Sequence, residues 1–260
     1  MKFGWRVPIF WMMGVFLYAV SGFALEVIVD NDNTSCTITG SWTTSTSSCY
    51  GANKYTRGPG TGANSITWRA VLPAGWYRVD FRVNSNTTYS TAARYTVTHR
   101  DGTNVLIINQ QRGSSSFFIL GGAYYFDGLA VVTLSDEFDA GTGSLVIADA
   151  IRFWSIFSFV QMSDSHVGYS AGTSQLTQVA NELKTLGKME MGTYGFSAPP
   201  PSFGIHSGDT TEYGQEYWNT FQNLMNGLPF PVYVALGNHD SAQNLNREKI
   251  RARHGAPYYS

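Results

Sequence analysis

The stretch IFSFVQMSDSH, residues 156–166, decides how the chain is read: a compact apolar run of strand length, Ile156 to Met162, leads into Asp164-Ser165-His166. The same pattern recurs twice downstream. FGIHSGD (203–209) ends in Gly208-Asp209, and FPVYVALGNHD (230–240) ends in Gly237-Asn238-His239-Asp240. Each string puts oxygen or imidazole ligands where a strand gives way to a loop, the place where open α/β sheets hold their chemistry. Two amphipathic stretches separate the strings. Leu176, Val179, Ala180, Leu183 and Leu186 form one helical stripe within Gln175 to Leu186, with Ser174 near its start and Gly187 past its end. Tyr217, Trp218, Phe221, Leu224 and Met225 form the second. The order β-α-β-α-β predicts a parallel sheet with helices on its faces. A segment rich in Gly, Ala and Pro between Gly187 and Pro201 lengthens the first crossover, as a substrate rim or an idle insertion.

Upstream of this block the text changes character. From Glu26 to about Phe153 it is rich in Thr, Ser, Gly, Asn, Val and Tyr, and period-two alternation predicts strands. In Trp76 to Val83, Tyr77, Val79, Phe81 and Val83 share a face expected to pack. Trp76, Arg78, Asp80 and Arg82 share a face expected to see water. Tyr95 to His99 alternates likewise and meets Val105 to Ile108 across the hairpin signal Asp101-Gly102. Several such strands predict an all-β sandwich.

The 260 residues leave room for two domains, and a net charge of -1 with 13% charged residues provides no basic face for nucleic acid or an anionic membrane. Residues 1–24 carry Lys2 and Arg6 ahead of an apolar run from Val7 to Val20, then Ser21, Gly22, Phe23 and Ala24. That is the form of a secretory signal peptide, implying a secreted, periplasmic or cell-surface protein. An uncleaved anchor is the alternative, although the run is shorter than the ~20 residues a span requires. In an oxidising compartment Cys36 and Cys49 are expected to pair as a disulfide contributing about 3 kcal/mol; two buried thiols are the alternative.

In residues 26–153, Val29-Asp30-Asn31, Gly40-Ser41-Trp42, Thr67-Trp68, Ala74-Gly75-Trp76-Tyr77, Val97-Thr98-His99 before Asp101-Gly102, and Ala148-Asp149-Ala150 with Arg152-Phe153 resemble the golvesin-like domain also found at the C-terminus of xanthan lyase. The resemblance implies a β-sandwich suspected of holding carbohydrate, such as a polysaccharide or cell-surface polymer, and brings no catalytic residues. Trp42, Trp68 and Trp76 are candidates to stack on sugar rings, with core filling the simpler expectation. Asp30, Asn31 and Asp32 are a candidate calcium cluster, with bonding to their own turn the simpler expectation.

The three strings have a chemistry of their own. Asp164 and His166 project to one side of an extended segment and can reach one cation together. Gly208 permits a sharp turn that brings Asp209 in as a bridge between two cations, and Asn238 offers an amide oxygen to the second. Two metals about 3.5 to 4 Å apart lower the pKa of a shared water and clamp a phosphoryl group. His239 can then give a proton to the leaving oxygen, with Asp240 fixing its tautomer. The ligand chemistry fits Mn, Fe or Zn.

The set resembles the calcineurin-like metallophosphoesterase family, whose pattern runs Asp-x-His, Gly-Asp, Gly-Asn-His-Asp/Glu, then a later His and a Gly-His-x-His. Carried over, it makes Asp164 and His166 first-metal ligands, Asp209 the bridge, Asn238 a second-metal ligand, His239 the proton donor and Asp240 its orienter. It also implies that residues 156–260 are the β-α-β-α-β half of an α/β/β/α sandwich. Glu212 stands where the family often has Asp. His166 is present and no tyrosine stands at position 212, unlike purple acid phosphatases. The later histidines are missing: beyond the third string only His254 remains, in HGAPYYS (254–260). The expectation is therefore an exported metal-dependent phosphoesterase, acting on a phosphomonoester or phosphodiester, represented here by an N-terminal fragment that is weak or inactive alone. The alternative is a non-catalytic surface-binding protein with a degenerate phosphatase fold. His206 reads as a strand residue with a satisfied hydrogen bond, and His99 as a solvated hairpin residue.

Overall fold

The computed structural model describes residues 25–84, 86–111, 115–169, 171–187, 189–191, 196–212, 215–241, 248 and 252. The expected signal peptide and His254 lie outside these residues. The described chain forms two units, 25–156 with 189–199, and 157–187 with 200–252.

The first unit holds strands β1 (Glu26–Asp30), β2 (Cys36–Thr39), β3 (Thr43–Ser45), β4 (Lys54–Arg57), β5 (Ser65–Val83), β6 (Ala93–His99), β7 (Gly102–Ile108), β8 (Ser116–Ser135), β9 (Val146–Ala148) and β10 (Ala150–Ser155). One sheet runs β1-β10-β5-β8-β6-β7 with β2 also paired to β5, and a second runs β3-β4-β9. As alternation predicts, Tyr77, Val79, Phe81 and Val83 are buried, joined by Trp68, Tyr95, Phe126, Ile147 and Phe153 in one core. Each such side chain contributes about 1.5–3 kcal/mol by leaving water. The hairpin forms with its turn one residue earlier than expected: His99 pairs with Gly102, so Arg100-Asp101 is the loop and Gly102, at φ 132°, which a side chain would resist, opens β7. Strand β5 is far longer than its alternating half, because the Pro73-Ala74-Gly75 break is absorbed by an irregularity between Leu72 and Gly75 in its pairing with β8.

The opposite face of β5 departs from expectation. Asp80 is fully buried: its Oδ2 accepts from Arg78 Nη2 at 2.9 Å and from Arg152 Nη2 at 2.6 Å. The arginines in turn lie over rings, Arg78 and Arg152 over Trp154, and Arg152 and Arg82 over Phe117. Neutralising the charges in place and stacking flat guanidinium groups on aromatic faces lets this surface exclude water despite its polar residues.

Trp68 is fully buried and donates its indole N–H to Asn31 Oδ1 at 3.0 Å, so it faces no ligand. Trp42 is half-buried against the core, and Trp76 is half-buried with its ring edge-on to Tyr125. The Asp30–Asp32 cluster serves its own turn and neighbours. Asp30 accepts from the Asn31 N–H, Asn31 donates to the Ala148 carbonyl, and Asp32 accepts from Asn53. His99 is half-buried rather than solvated, bonded to Asn104 and packed on Tyr124. Cys36 and Cys49 are free thiols rather than the expected disulfide. Cys36 is fixed opposite Trp68 on β5 and packs on the core, while Cys49 turns its sulfur to the Thr46 and Gly51 carbonyls.

The second unit is built on β11 (Ser158–Met162), α1 (Gly172–Lys184), β14 (Pro201–His206), α2 (Gln215–Asn226), β15 (Val232–Val234) and the short α3 (Asn238–Ser241); the intervening β12 (Met189–Met191) and β13 (Phe196–Ala198) belong to the first. The expected parallel sheet is present, in the order β11-β14-β15. Both helices cover one face, not two: Leu176, Ala180 and Leu183 of α1 and Trp218, Phe221 and Met225 of α2 share a core with Val160, Val232 and Val234. Strands laid down in sequential order with right-handed crossovers put every helix on the same side. On the other face Phe159 stacks on Phe203 at 5.3 Å, and Tyr233 meets Phe203 edge-on. Helix α1 starts earlier than predicted, at Gly172, because a glycine fits where a Cβ would lie 2.4 Å from the His166 carbonyl oxygen. The crossover segment forms the antiparallel β12–β13 hairpin rather than a loop. No helix among the described residues is long and apolar enough to cross a membrane.

Candidate metal centre

The three strings follow the C-terminal ends of β11, β14 and β15, and backbone pairing continues past the strands to lock the first two together. Asp164 N–H donates to the Gly208 carbonyl at 3.1 Å, His166 N–H to Asp209 at 3.1 Å, Val167 N–H to Thr210 at 3.0 Å, and Glu212 N–H to Val167 at 2.9 Å. Within this zipper the chain is left-handed at Asp164 (φ 53°), His166 (φ 40°) and Asp209 (φ 53°). Among the described residues, only Ser48 shares that conformation without being glycine. Asp and His tolerate it better than most side chains, yet each such residue costs on the order of 1–2 kcal/mol. Strain is thus concentrated at the predicted ligands and held by the hydrogen bonds around them.

The zipper gathers Asp164, His166 and Asp209 so that their donor atoms lie within 4.8 Å of one another. His166 Nε2 is 4.0 Å from Asp164 Oδ1, while its Nδ1–H donates to Glu212 Oε1 at 2.8 Å. A carboxylate on the far nitrogen is the usual support of a ligating imidazole, because it fixes the tautomer and leaves Nε2 to coordinate. The donor set therefore fits a hard or borderline cation. Asn238 is exposed at the start of α3. His239 N–H donates to Asp209 Oδ1 at 2.9 Å, and its ring meets that of His166 at a right angle, 4.8 Å between centroids.

Two glycines make this convergence possible. A Cβ on Gly208 would lie 2.5 Å from the Gly237 nitrogen, and one on Gly237 would lie 2.2 Å from the Asp209 nitrogen. The second and third loops pack backbone to backbone, which explains glycine in both strings.

One expected role is corrected. Asp240 is fully buried and does not orient His239: it accepts from Thr210 N–H at 3.1 Å, Thr210 Oγ1–H at 2.5 Å and Gly237 N–H at 3.1 Å. Residues 239 and 240 are neighbours on a helical turn, about 100° apart, so their side chains diverge. The carboxylate facing His239 is Glu212, whose Oε1 is 3.6 Å from His239 Nδ1, a buried atom with no hydrogen-bond partner of its own. Glu212, His166 and His239 form a second close group of potential donors. The offset of three from Asp209 was visible in the sequence, but not that one carboxylate would face two imidazoles. His206 is buried and bonded, as expected of a strand residue, and burial pushes its imidazole down to about 4.

Residues 27–155 match the family described as "Golvesin C-terminal domain", and residues 157–259 the family described as "Calcineurin-like phosphoesterase". The chain joins a golvesin C-terminal domain to a calcineurin-like phosphoesterase domain. A "Probable glycerophosphodiester phosphodiesterase" of Arcobacter nitrofigilis is 43% identical over 51 residues, 19% of this chain and 19% of that protein. The match thus spans about a fifth of that relative's length. Among solved structures, Paenibacillus xanthan lyase is 30% identical over 50% of this chain and 13% of the lyase, with a TM-score of 0.46. A family 35 carbohydrate binding module from Clostridium thermocellum is 14% identical over 49% of this chain and 97% of that module, with a TM-score of 0.38. In the phosphoesterase domain all three matched strings sit at strand ends, and Glu212 occupies the position three residues after Asp209.

Proposed function

We propose that the phosphoesterase domain hydrolyses a phosphomonoester or phosphodiester using two cations, Mn, Fe or Zn, and that the protein is exported to the periplasm, cell surface or medium. The observation that carries the catalytic reading is the convergence of Asp164, His166 and Asp209 donors within 4.8 Å at the ends of two parallel strands. Asp164, His166, Asp209 and Asn238 would hold the cations, with Asp209 as the ligand available to both. Bound there, they would supply neutralisation of phosphoryl charge and a lowered pKa for water, worth several kcal/mol. Glu212 orients His166 through Nδ1. It faces His239 Nδ1 as well, so that His239 can present Nε2 to the leaving oxygen and give it a proton. The exported location rests on the leader-like residues 1–24. The golvesin domain is read as a holder of polysaccharide or surface polymer, supported by the match of residues 27–155 to its family.

The test uses the 260-residue chain, stripped of metal and reloaded with Mn, Fe or Zn, on bis(p-nitrophenyl) phosphate and p-nitrophenyl phosphate. The expected result is metal-dependent release of nitrophenolate that disappears in Asp209→Asn. No release from either ester with any of the three metals would refute the catalytic reading.

A further inference from the structure

We propose that His206 is a positioning residue for the metal centre, fastening the Asp164–His166 loop to the Gly208–Asp209 loop through Ser165. His206 ends β14 and is fully buried, edge-on to Phe221 of α2 at 5.2 Å. Both ring nitrogens are engaged, and each reaches a different loop. Gly208 N–H donates to Nδ1 at 3.3 Å, which requires the neutral tautomer with its proton on Nε2. That Nε2–H donates to Ser165 Oγ at 3.1 Å, and Ser165 Oγ–H continues to the Thr210 carbonyl at 2.8 Å. The three bonds run in one direction, so no proton is misplaced and no donor is left over.

Ser165 lies between Asp164 and His166, both left-handed, on a loop that relaxes unless something holds it. The backbone zipper holds the loop's main chain; the His206–Ser165–Thr210 relay is the side-chain fastening, with His206 and Thr210 buried and Ser165 half-buried. With both nitrogens occupied, His206 has none left to coordinate a cation. Its effect on the metal is transmitted by where it keeps Asp164 and His166, and losses of such supporting groups typically weaken metal binding 10–100-fold.

The inference rests on the metal-centre reading, and the experiment separates the two. The full chain is titrated with Mn²⁺, free ion being followed by electron paramagnetic resonance. His206→Leu keeps a side chain beside Phe221 but removes both bonds; Ser165→Ala breaks the relay at its midpoint with a minimal change of volume. Each is expected to weaken Mn²⁺ binding by about 10–100-fold. The double variant should be no worse than the weaker single one, because both cut one chain. His206→Gln, which can still donate to Ser165, should recover most of the affinity. Leu176→Ala, a core change on α1 of the same unit, is the control: it should lower the melting temperature in chelator without moving Mn²⁺ affinity. Wild-type affinity in both His206→Leu and Ser165→Ala, or strictly additive losses, would overturn the positioning role. No saturable Mn²⁺ binding by the wild type would overturn the metal-centre reading, and this inference with it. If His206→Leu does not fold, Ser165→Ala decides alone.

Discussion

Gly208→Ala adds one methyl group at the point where the second and third strings touch, and the structure sets the size of the disturbance. The new Cβ would lie 2.6 Å from Gly237 Cα and 3.0 Å from the Leu236 carbonyl carbon, all of it backbone that cannot rotate aside. Carbon atoms settle at about 3.5–4.0 Å, so the third string must retreat by roughly 1 Å. Gly208 also sits at φ 115°, where alanine pays on the order of 1–3 kcal/mol. A retreat of that size carries Asn238 and His239 with it and breaks the bond from His239 N–H to Asp209 Oδ1. Misplacing catalytic groups by about 1 Å commonly costs on the order of 100-fold in rate. The expected outcome is a folded protein whose chelator-treated melting temperature falls by several degrees, and whose metal-dependent nitrophenolate release falls at least tenfold more than destabilisation explains. Circular dichroism and the aryl phosphate assay, run on the same preparation, measure both. Wild-type rate and wild-type Mn²⁺ affinity in Gly208→Ala would refute the argument that backbone contact between these loops shapes the site.

Two further outcomes follow from buried carboxylates. Asp149, almost wholly buried beside Arg82 and the Tyr50 N–H, has its carboxyl pushed up by burial to about 6 from 3.8. A raised acid favours folding while protonated, so its contribution is full below about pH 4 and lost as pH climbs through about 6. Asp149→Asn should therefore gain on the wild type by up to about 3 kcal/mol between pH 4 and pH 8, less the lost pairing with Arg82. Urea unfolding at the two pH values tests this, and an unchanged gap contradicts it. Asp240→Asn places an amide against donors that need an acceptor and should cost about 1.5–3 kcal/mol by thermal melts. Glu212→Gln should lower metal-dependent nitrophenolate release per folded molecule more than Asp240→Asn does, with a smaller stability cost. If Asp240→Asn lowers that release and Glu212→Gln does not, the exchange of roles drawn from the geometry is wrong.

Much of the phosphoesterase domain was legible because its signals are local. An apolar run ending in ligand residues marks a strand end whatever surrounds it, and the Leu176, Ala180 and Leu183 spacing declares a helix face. Boundaries moved where packing decided them, as at Gly172, which becomes helical only because the carbonyls of Ser165 and His166 lie against it. Period two also found the packed face of β5, but could not foresee that Asp80 on the reverse would be buried between two arginines contributed by β5 and β10. What sequence concealed was direction. Adjacency of His239 and Asp240 suggested a pair, and about 100° of helical rotation points their side chains apart. Glu212, distant in sequence from both imidazoles, is the group that faces them. The cysteines were misjudged for the same reason, since nearness along the chain does not turn two sulfur atoms toward each other.

The strand order of the golvesin domain has a consequence for its synthesis. Its first strand has one partner, β10: Glu26 pairs with Trp154 and Asp30 with Ala150. Strand β5 likewise waits for β8 on one long edge and β10 on the other. A ribosome therefore releases β1 and β5 well before the chain that completes them, while the β3–β4 and β6–β7 pairs can close from neighbouring residues. Until about residue 155 emerges, open strand edges bearing Val79 and Phe81 must be kept from pairing with other nascent chains. The β12–β13 pair, residues 189–198, belongs to the same unit, so that unit is complete only after the first phosphoesterase strand, β11, has already been synthesised.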